Sequence, residues 1–356
     1  MALVKINNRG QRDNLGRRNI LINGDMRVAQ RGTSTTGLQN TGGVFTLDRF
    51  SHRRGGTWTN FEAKHEQVDV TDTLPLSVGL TKALKVTCTT AEGSVPSGTG
   101  SASNAESVAI GHYLEKGDTH RFSVGTSSMS VATLSFYVKA SIATTYGISL
   151  SADQHSAHQR IQIPFTVSSA NTYERISITI PTYTVALDSD ADTSAGWRLH
   201  IMLDGVASAK SASTWHDNSS NSEQVVMLPN GVSTTGFSNT LNATFEITGV
   251  QLEKGSVATE FEHRSLAEEL ALCQRYYYQV NDVSGGNIAY YHNYNDTTKM
   301  VSVYHPVKMR SIPLATVTGD VGTEYKSHEG HFQMFYGSTN QQTTLNLDTM
   351  FFNSEI

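Results

Sequence analysis

The strongest constraint on this chain is a period-two alternation of apolar and polar residues in several separate segments. Successive side chains of a β-strand point to opposite faces, so this alternation puts the apolar side chains of each segment on one face. Turn-rich stretches such as 94–105 and 188–196 separate the segments, which predicts an all-β sandwich or jelly roll. The alternating apolar residues are Leu134, Phe136, Val138 and Ala140; Ile161, Ile163, Phe165 and Val167; Ile176, Ile178 and Ile180; and Trp197, Leu199, Ile201 and Leu203.

The composition favours the same fold and excludes several classes of partner. Charged residues make up 17% of the chain, less than a surface of amphipathic helices would require. The net charge of −5 gives no basis for expecting a nucleic-acid partner. No apolar segment has the length of a membrane span or a signal peptide, so membrane insertion is not expected. Two cysteines, Cys88 and Cys273, are too few for a disulfide scaffold, which indicates a reduced protein made in a cytoplasm.

We divide the chain into four parts: a basic N-terminal arm (1–18), a jelly-roll-like β-sandwich (19–264), a helical joint (265–276) and a small C-terminal β tip (277–356). The arm holds five basic residues against one acid, Asp13, and is a candidate attachment segment. The alternative is a solvated terminus. The basic residues of the arm are Lys5, Arg9, Arg12, Arg17 and Arg18.

Local signals within these parts predict a bulge and one helix. The alternation of apolar and polar residues shifts by one position at Thr248-Gly249. A β-bulge there would return the following apolar side chains to the same face of the sheet. Ser265 to Glu268 matches a capping box, which predicts a helix start. A narrow apolar seam follows this start, which favours self-association, although packing on the chain's own sandwich explains it equally well. The seam consists of Leu266, Leu270, Cys273 and Tyr277.

Stretches in three parts of the chain resemble phage tail-fibre and related virion proteins. RNILINGDMRVAQR (18–31) with TLDRF (46–50) resembles the opening of a domain in that group. The close of that domain is resembled by FEITGVQLEKG (245–255), ATEFE (258–262), EEL (268–270) and CQRYY (273–277). The tip motif PVKMRSIP (306–313) also resembles a stretch found in that group. The sandwich also resembles a carbohydrate-binding module. However, Met26-Arg27 and Thr248-Gly249 replace residues that usually accompany a structural calcium ion, so no calcium is expected there.

The resemblance implies a homotrimeric tail fibre in the virion that attaches to host surface polysaccharide. Its arm would dock to tail or portal-proximal virion proteins. Two alternatives remain open. One is a capsid (head) fibre or decoration protein with the same fold, located on the capsid surface. The other is a polysaccharide-degrading tailspike.

Catalytic motifs are not found, so we expect a binding protein with no cofactor rather than an enzyme. The sequence has neither a phosphate-cradling loop nor a Gly-x-Ser-x-Gly elbow. Asp188, Asp190 and Asp192 are weak metal candidates in a loop without the EF-hand pattern. Aromatic residues beside amides suit sugar binding, with burial as the alternative. The glycan-binding candidates are Tyr290, Tyr291, Asn293 and Tyr294, with Trp215 as a separate site.

Overall fold

The structure is a computed structural model. It describes residues 17–39, 42–98, 105–124, 129–152, 159–183, 195–217, 227–281, 291–295, 298–319, 324–337 and 347–355. The chain forms two compact units, Met1–His263 and Arg264–Ile356. Residues 265–276, the predicted helical joint, lie within the second unit. None of the helices within these ranges is long and apolar enough to cross a membrane.

The first unit is a sandwich of two antiparallel sheets, which confirms the predicted all-β fold. Within the described ranges, the first sheet has six strands in the order β1-β4-β5-β13-β7-β10. These strands are β1 (Ser34–Leu38), β4 (Glu62–Asp69), β5 (Lys82–Thr90), β7 (Ala132–Ala140), β10 (Glu174–Ile180) and β13 (Thr244–Lys254).

The second sheet has seven strands in the described ranges, in the order β12-β9-β8-β11-β6-β3-β2. They are β2 (Val44–Leu47), β3 (Phe50–Gly55), β6 (Ser107–Glu115), β8 (Thr145–Ala152), β9 (Gln159–Thr166), β11 (Ala195–Gly205) and β12 (His216–Asp217). Short helical turns connect some strands: α1 (Thr73–Leu76), α2 (Lys116–Thr119) and a 3₁₀ turn (His120–Phe122).

The apolar faces of the two sheets meet in one core, as the alternation predicts. All the alternating residues are buried except Ile176, which lies on the edge strand β10 and is partly buried. Trp197 is fully buried and stacks on Phe122 at 5.1 Å between ring centroids. Tyr146 of the second sheet packs against Phe245 of the first at 5.3 Å. These contacts across the core fix the two sheets face to face.

The predicted bulge on β13 is confirmed, and the opening segment of the sandwich packs against it. The register between β13 and β7 shifts between Thr248 and Gln251, with Gly249 at a φ of 61°. The Val250 amide donates to the Gly24 carbonyl at 2.9 Å. A Cβ on Gly24 would lie 2.1 Å from the Val250 carbonyl oxygen, so only glycine fits there.

The residues that carry the virion-protein resemblance close the sandwich. The amides of Arg18 and Asn19 donate to the two carboxylate oxygens of Glu262 at 3.1 and 2.8 Å. The Asn19 side chain donates to the Val250 carbonyl and accepts from the Leu252 amide. We call this set of bonds the clasp. The opening and closing motifs therefore meet through hydrogen bonds that hold the fold together.

The last two residues of the predicted basic arm, Arg17 and Arg18, form hydrogen bonds with the sandwich. The Arg18 guanidinium donates to Thr259 Oγ1 at 3.0 Å, and the Arg17 carbonyl accepts from Arg121 at 2.7 Å. Both residues therefore belong to the sandwich, because their bonds lie within it. The other attachment candidates, Lys5, Arg9 and Arg12, lie outside the described residues.

The second unit is built from one helix and two small sheets. Met309, Phe332, Met334, Met350 and Phe352 form its apolar core. In its described ranges the sheets have the orders β14-β20-β17 and β15-β16-β19-β18. Its elements are α3 (Leu266–Gln274), β14 (Tyr277–Asn281), β15 (Tyr291–Asn295), β16 (Thr298–Tyr304), β17 (Leu314–Gly319), β18 (Glu324–Ser327), β19 (His331–Gly337) and β20 (Leu347–Asn353).

Helix α3 starts as predicted, but the proposed seam is not a continuous helical stripe. The Ser265 hydroxyl accepts from the Glu268 amide at 3.2 Å, which confirms the cap. The helix ends at Gln274, so Tyr277 begins β14. Cys273 and Tyr277 are buried within one copy of the chain, whereas Leu266 is 53% exposed and Leu270 is partly buried. Only the first two members of the seam therefore keep surface that a second copy could contact.

Candidate ligand-binding face

The outward face of the second sheet carries two neighbouring cross-strand rows of mostly polar residues. Residues directly opposite each other in antiparallel strands share a face, with Cβ atoms about 4.5–5.5 Å apart. The tyrosine row consists of Tyr113, Arg198, Ser151, Arg160 and His216. The histidine row consists of Ser51, Gly111, His200, Ser149 and Gln162.

Several polar atoms of these rows are buried without satisfying their hydrogen-bonding capacity. Gln162 is 1% exposed, and neither of its amide atoms has a hydrogen-bond partner in the described part of the chain. The same holds, within those ranges, for Ser151 Oγ and His200 Nδ1. A buried polar group left unpaired costs about 1–3 kcal/mol. In native structures most buried polar atoms are paired, with other protein groups or with ordered water, so each unpaired atom of this group calls for an explanation.

Tyr113 provides an aromatic surface at the half-buried end of the face. The Arg53 Cζ lies 4.1 Å from its ring centroid and the Arg198 Cζ lies 5.2 Å away. The Tyr113 hydroxyl and His200 Nε2 are 3.2 Å apart and share a hydrogen bond. All three of Tyr113, Arg53 and Arg198 retain partial exposure. The hydrogen bond and the two nearby guanidinium groups restrict the orientation of the ring.

The electrostatic setting of His200 is positive. Burial lowers the pKa of His200 well below its usual value, and Arg53, Arg198 and Arg160 lower it further. The imidazole is therefore neutral at pH 7, with one nitrogen engaged by Tyr113. A neutral imidazole offers one donor and one acceptor, which suits contact with a hydroxyl group.

A loop covers the adjoining row and limits the face on one side. Ala109 and Met202 pack against Leu228 and Val232 in a small apolar cluster. A Cβ on Gly147 would lie 2.3 Å from Pro229 Cδ, so the glycine permits the loop to approach the sheet. The face therefore has an apolar, covered side and a polar side with donors, acceptors and a ring. Ligand-binding sites generally combine an apolar wall with a few polar groups in this way.

Trp215, a sequence-predicted candidate, lies at the edge of this sheet next to β12. Its indole N–H donates to the Pro181 carbonyl at 2.7 Å, and its ring lies 4.4 Å from that of Tyr183. It is partly buried against the main core. These contacts pack the Trp215 ring at the edge of the sheet.

The remaining candidates are only partly described. Tyr291, Asn293 and Tyr294 lie in β15, whose backbone pairs with β16. Tyr290 lies outside the described residues, as do Asp188, Asp190 and Asp192. Among the residues that the structure does describe, no three His, Cys, Asp or Glu side chains group closely enough to hold a metal ion. The two cysteines are buried free thiols, and burial raises the pKa of Cys88 to about 11.

Sequence reasoning did not identify the two polar rows. A signal was present, because Arg160 and Gln162 alternate with buried isoleucines and Arg198 and His200 alternate with Trp197 and Leu199. We interpreted these positions only through their apolar neighbours. Histidine, glutamine and serine at the outward positions of several strands differ from the Lys, Glu and Thr typical of a solvated face. That difference could have indicated a functional surface.

Comparisons with known proteins give structural similarities only. No protein-family model matches the chain, and no curated protein matches its sequence. A candidate sugar-binding protein from Bacteroides thetaiotaomicron VPI-5482 is 10% identical, with a TM-score of 0.36, covering 67% of this chain and 100% of its own. The family 11 carbohydrate-binding module of the Clostridium thermocellum cellulase Lic26A-Cel5E is 12% identical, with a TM-score of 0.28, covering 66% and 99% respectively.

The N-terminal CBM22-1–CBM22-2 tandem domain of Paenibacillus barcinonensis Xyn10C is 11% identical, with a TM-score of 0.31. That match covers 96% of this chain and 91% of the tandem domain. These TM-scores and identities are too low to bear on the function of this chain. The functional argument therefore depends on the chain's own residues.

Proposed function

We propose that this protein is a structural, carbohydrate-binding component of a bacteriophage virion, a tail fibre that attaches to host surface glycan. The glycan lies along the two polar rows on the outward face of the second sheet. The protein is made in the host cytoplasm and functions in the virion. It acts by adhesion and not by cleaving the glycan.

The observation that carries the binding role is the group of buried, unpaired polar atoms beside a tyrosine ring of restricted orientation. Sugar rings have apolar faces that stack on aromatic side chains, and hydroxyls that both donate and accept hydrogen bonds. Gln162 and Ser151 supply groups of both kinds.

The virion role is supported by the motifs that form the clasp. In this chain Arg18, Asn19 and Glu262 close the sandwich, so their resemblance to virion proteins concerns the architecture of the domain. The ligand-contacting residues lie elsewhere, on β6, β8, β9 and β11. A shared architecture with a different binding face would allow related fibres to attach to different hosts.

The binding role is tested by affinity gel electrophoresis of the full-length protein through a panel of neutral and acidic polysaccharides. We expect at least one polysaccharide to retard the wild type, and Gln162→Leu and Tyr113→Ala to weaken that retardation at least tenfold. Tyr304→Ala is the control, since Tyr304 is 75% exposed in the second unit. Thermal melts of each variant verify that it folds.

Two results would count against this assignment. Retardation that depends on Tyr304 and not on Gln162 would place the binding site in the tip, as the sequence candidates suggest. Immunogold labelling of intact particles addresses the virion role. Label on the tail supports it, whereas label on the capsid would favour a head fibre.

A further inference from the structure

We propose that His328 and His331 form a binding site for a divalent transition-metal ion of the Cu²⁺, Ni²⁺ or Zn²⁺ type. The two imidazoles supply two ligands, and water or an external donor fills the other coordination positions. The pair belongs to the second unit, whereas the two polar rows belong to the first. The inference is therefore independent of the proposed function.

The two histidines flank the tight turn of the β18–β19 hairpin. Strand β18 ends at Ser327 and β19 begins at His331, with Ser327 opposite Phe332. The His328 amide donates to the His331 carbonyl at 2.9 Å, so these two residues continue the same register. Residues opposite each other in this way share a face of the sheet. Their rings are stacked, with centroids 4.5 Å apart and 16° between the planes.

An adjoining segment holds the turn in place. The His305 amide donates to the Gly330 carbonyl at 3.0 Å, and the Met309 amide donates to the Glu329 carbonyl at 2.7 Å. The Glu329 carboxylate forms an ion pair with Lys308 at 2.6 Å. Because the backbone of the turn is anchored, the two imidazoles are close together before any cation binds. Binding therefore has a smaller ordering cost.

The imidazoles are accessible, and one of them is supported from its other side. Tyr304 lies opposite His331 on β16, with 5.9 Å between the ring centroids. His331 is thus flanked by Tyr304 and His328. In the part of the chain that the structure describes, no hydrogen bond engages a ring nitrogen of either histidine. His328 is exposed and His331 is partly exposed, so a cation can reach both.

The chemistry of the pair favours borderline transition metals. Neutral imidazole nitrogens are common ligands of Cu²⁺, Ni²⁺ and Zn²⁺. Two imidazoles side by side bind one ion more tightly than a single surface histidine does, because the second bond forms within the same molecule. Among the described residues no third His, Cys, Asp or Glu joins the pair, which leaves the other coordination positions open. Cu²⁺ should bind most tightly of the three ions.

The test is isothermal titration calorimetry of the full-length protein, without a histidine tag, using NiCl₂ at neutral pH. We expect binding of about one ion per chain, and we expect His328→Asn and His331→Asn each to weaken it at least tenfold. Glu329→Gln is the matched control. It changes the charge of the same turn and keeps both imidazoles, so its affinity should stay within about twofold of the wild type. Thermal melts verify that each variant folds.

Electron paramagnetic resonance of the Cu²⁺ complex gives a second readout. The wild type should show nitrogen couplings from two imidazoles, and each histidine variant should lose the coupling of one. Equal affinities for the wild type and both histidine variants would overturn the assignment. Loss of binding in only one of those variants would show a single surface ligand and would also overturn it. A loss in Glu329→Gln as large as that in His328→Asn would show that Ni²⁺ binds the acidic turn instead.

Discussion

At the scale of single residues, two histidines in the core are held without charge. His52 on β3 and His65 on β4 are fully buried, and His52 Nδ1 lies 3.3 Å from His65 Nε2. Burial and the nearby Arg54 lower the pKa of His52 to about 4. Burial and His52 lower the pKa of His65 well below 6.5. The folded state therefore binds fewer protons than the unfolded chain in mildly acidic solution.

We predict that the free energy of unfolding falls as the pH decreases from 6.5 toward 4. Above pH 6.5, the pKa of an unfolded histidine, both states hold these imidazoles neutral and the free energy of unfolding is highest. As the pH falls below 6.5, the unfolded chain takes up protons that the folded state does not bind, and this free energy decreases. His52 alone should lower the free energy of unfolding by about 3 kcal/mol at pH 4 relative to pH 7. Urea denaturation at several pH values measures the slope.

The double variant His52→Asn/His65→Asn should show a flatter pH dependence, whatever its absolute stability. His120→Asn is the control, since His120 is exposed and should leave the slope unchanged. Equal slopes for the wild type and the double variant would contradict the assignment. In that case other buried imidazoles, such as His112, would be responsible.

At the scale of elements, the clasp determines how much of the N-terminal segment the sandwich needs. Ile20, Leu21 and Ile22 are buried beside it, at 8%, 0% and 7% exposure. We predict that deleting residues 2–16 changes the melting temperature by less than about 3 °C, because the deletion retains the clasp and these three buried residues. Deleting residues 2–24 should destabilise the fold by on the order of 5 kcal/mol or prevent folding.

Differential scanning calorimetry of the two deletions tests this prediction. Asn19→Ala serves as an intermediate case, since it removes the side-chain bonds to Val250 and Leu252 and keeps the apolar residues. Its melting temperature should lie between those of the two deletions. A large loss of stability in the shorter deletion would show that the segment before Arg17 is also part of the fold.

The elements were largely predictable from the sequence, whereas the binding face was not. Alternation within a segment is local, so β7, β9, β10, β11 and β13 could be identified from their apolar residues alone. The polar rows depend on which strands become neighbours. Strand β11 lies between β6 and β8, and β6 precedes it by several other strands in the chain. Tertiary pairing of this kind sets the register, and no local pattern encodes it.

At the scale of the whole molecule, the two units have separate apolar cores. The first contains the core between the two sheets and the second contains the cluster around Phe352. We predict that Met1–His263, produced alone, unfolds cooperatively and binds polysaccharide as tightly as the full chain does. Its two polar rows lie entirely within β3, β6, β8, β9, β11 and β12.

Circular dichroism melts and the same affinity gels provide the measurement. Arg264–Ile356 produced alone is the control, and it should bind none of the polysaccharides. Binding by that fragment, or its loss from Met1–His263, would favour the tyrosine-rich strand β15 as the adhesive site. The proposed homotrimer is a separate property, and sedimentation of both fragments would show which one carries it.

The clasp also has a mechanical consequence. Arg18 and Glu262, where the chain passes into and out of the sandwich, are bonded to each other although 244 positions separate them in sequence. Tension applied to the two flanking segments would therefore act first on the few bonds of the clasp and hardly at all on the two sheets. If the clasp broke and the sandwich unfolded, those 244 positions would extend the chain by on the order of 800 Å. A domain with this geometry would lengthen under tension while its two flanking segments stay connected.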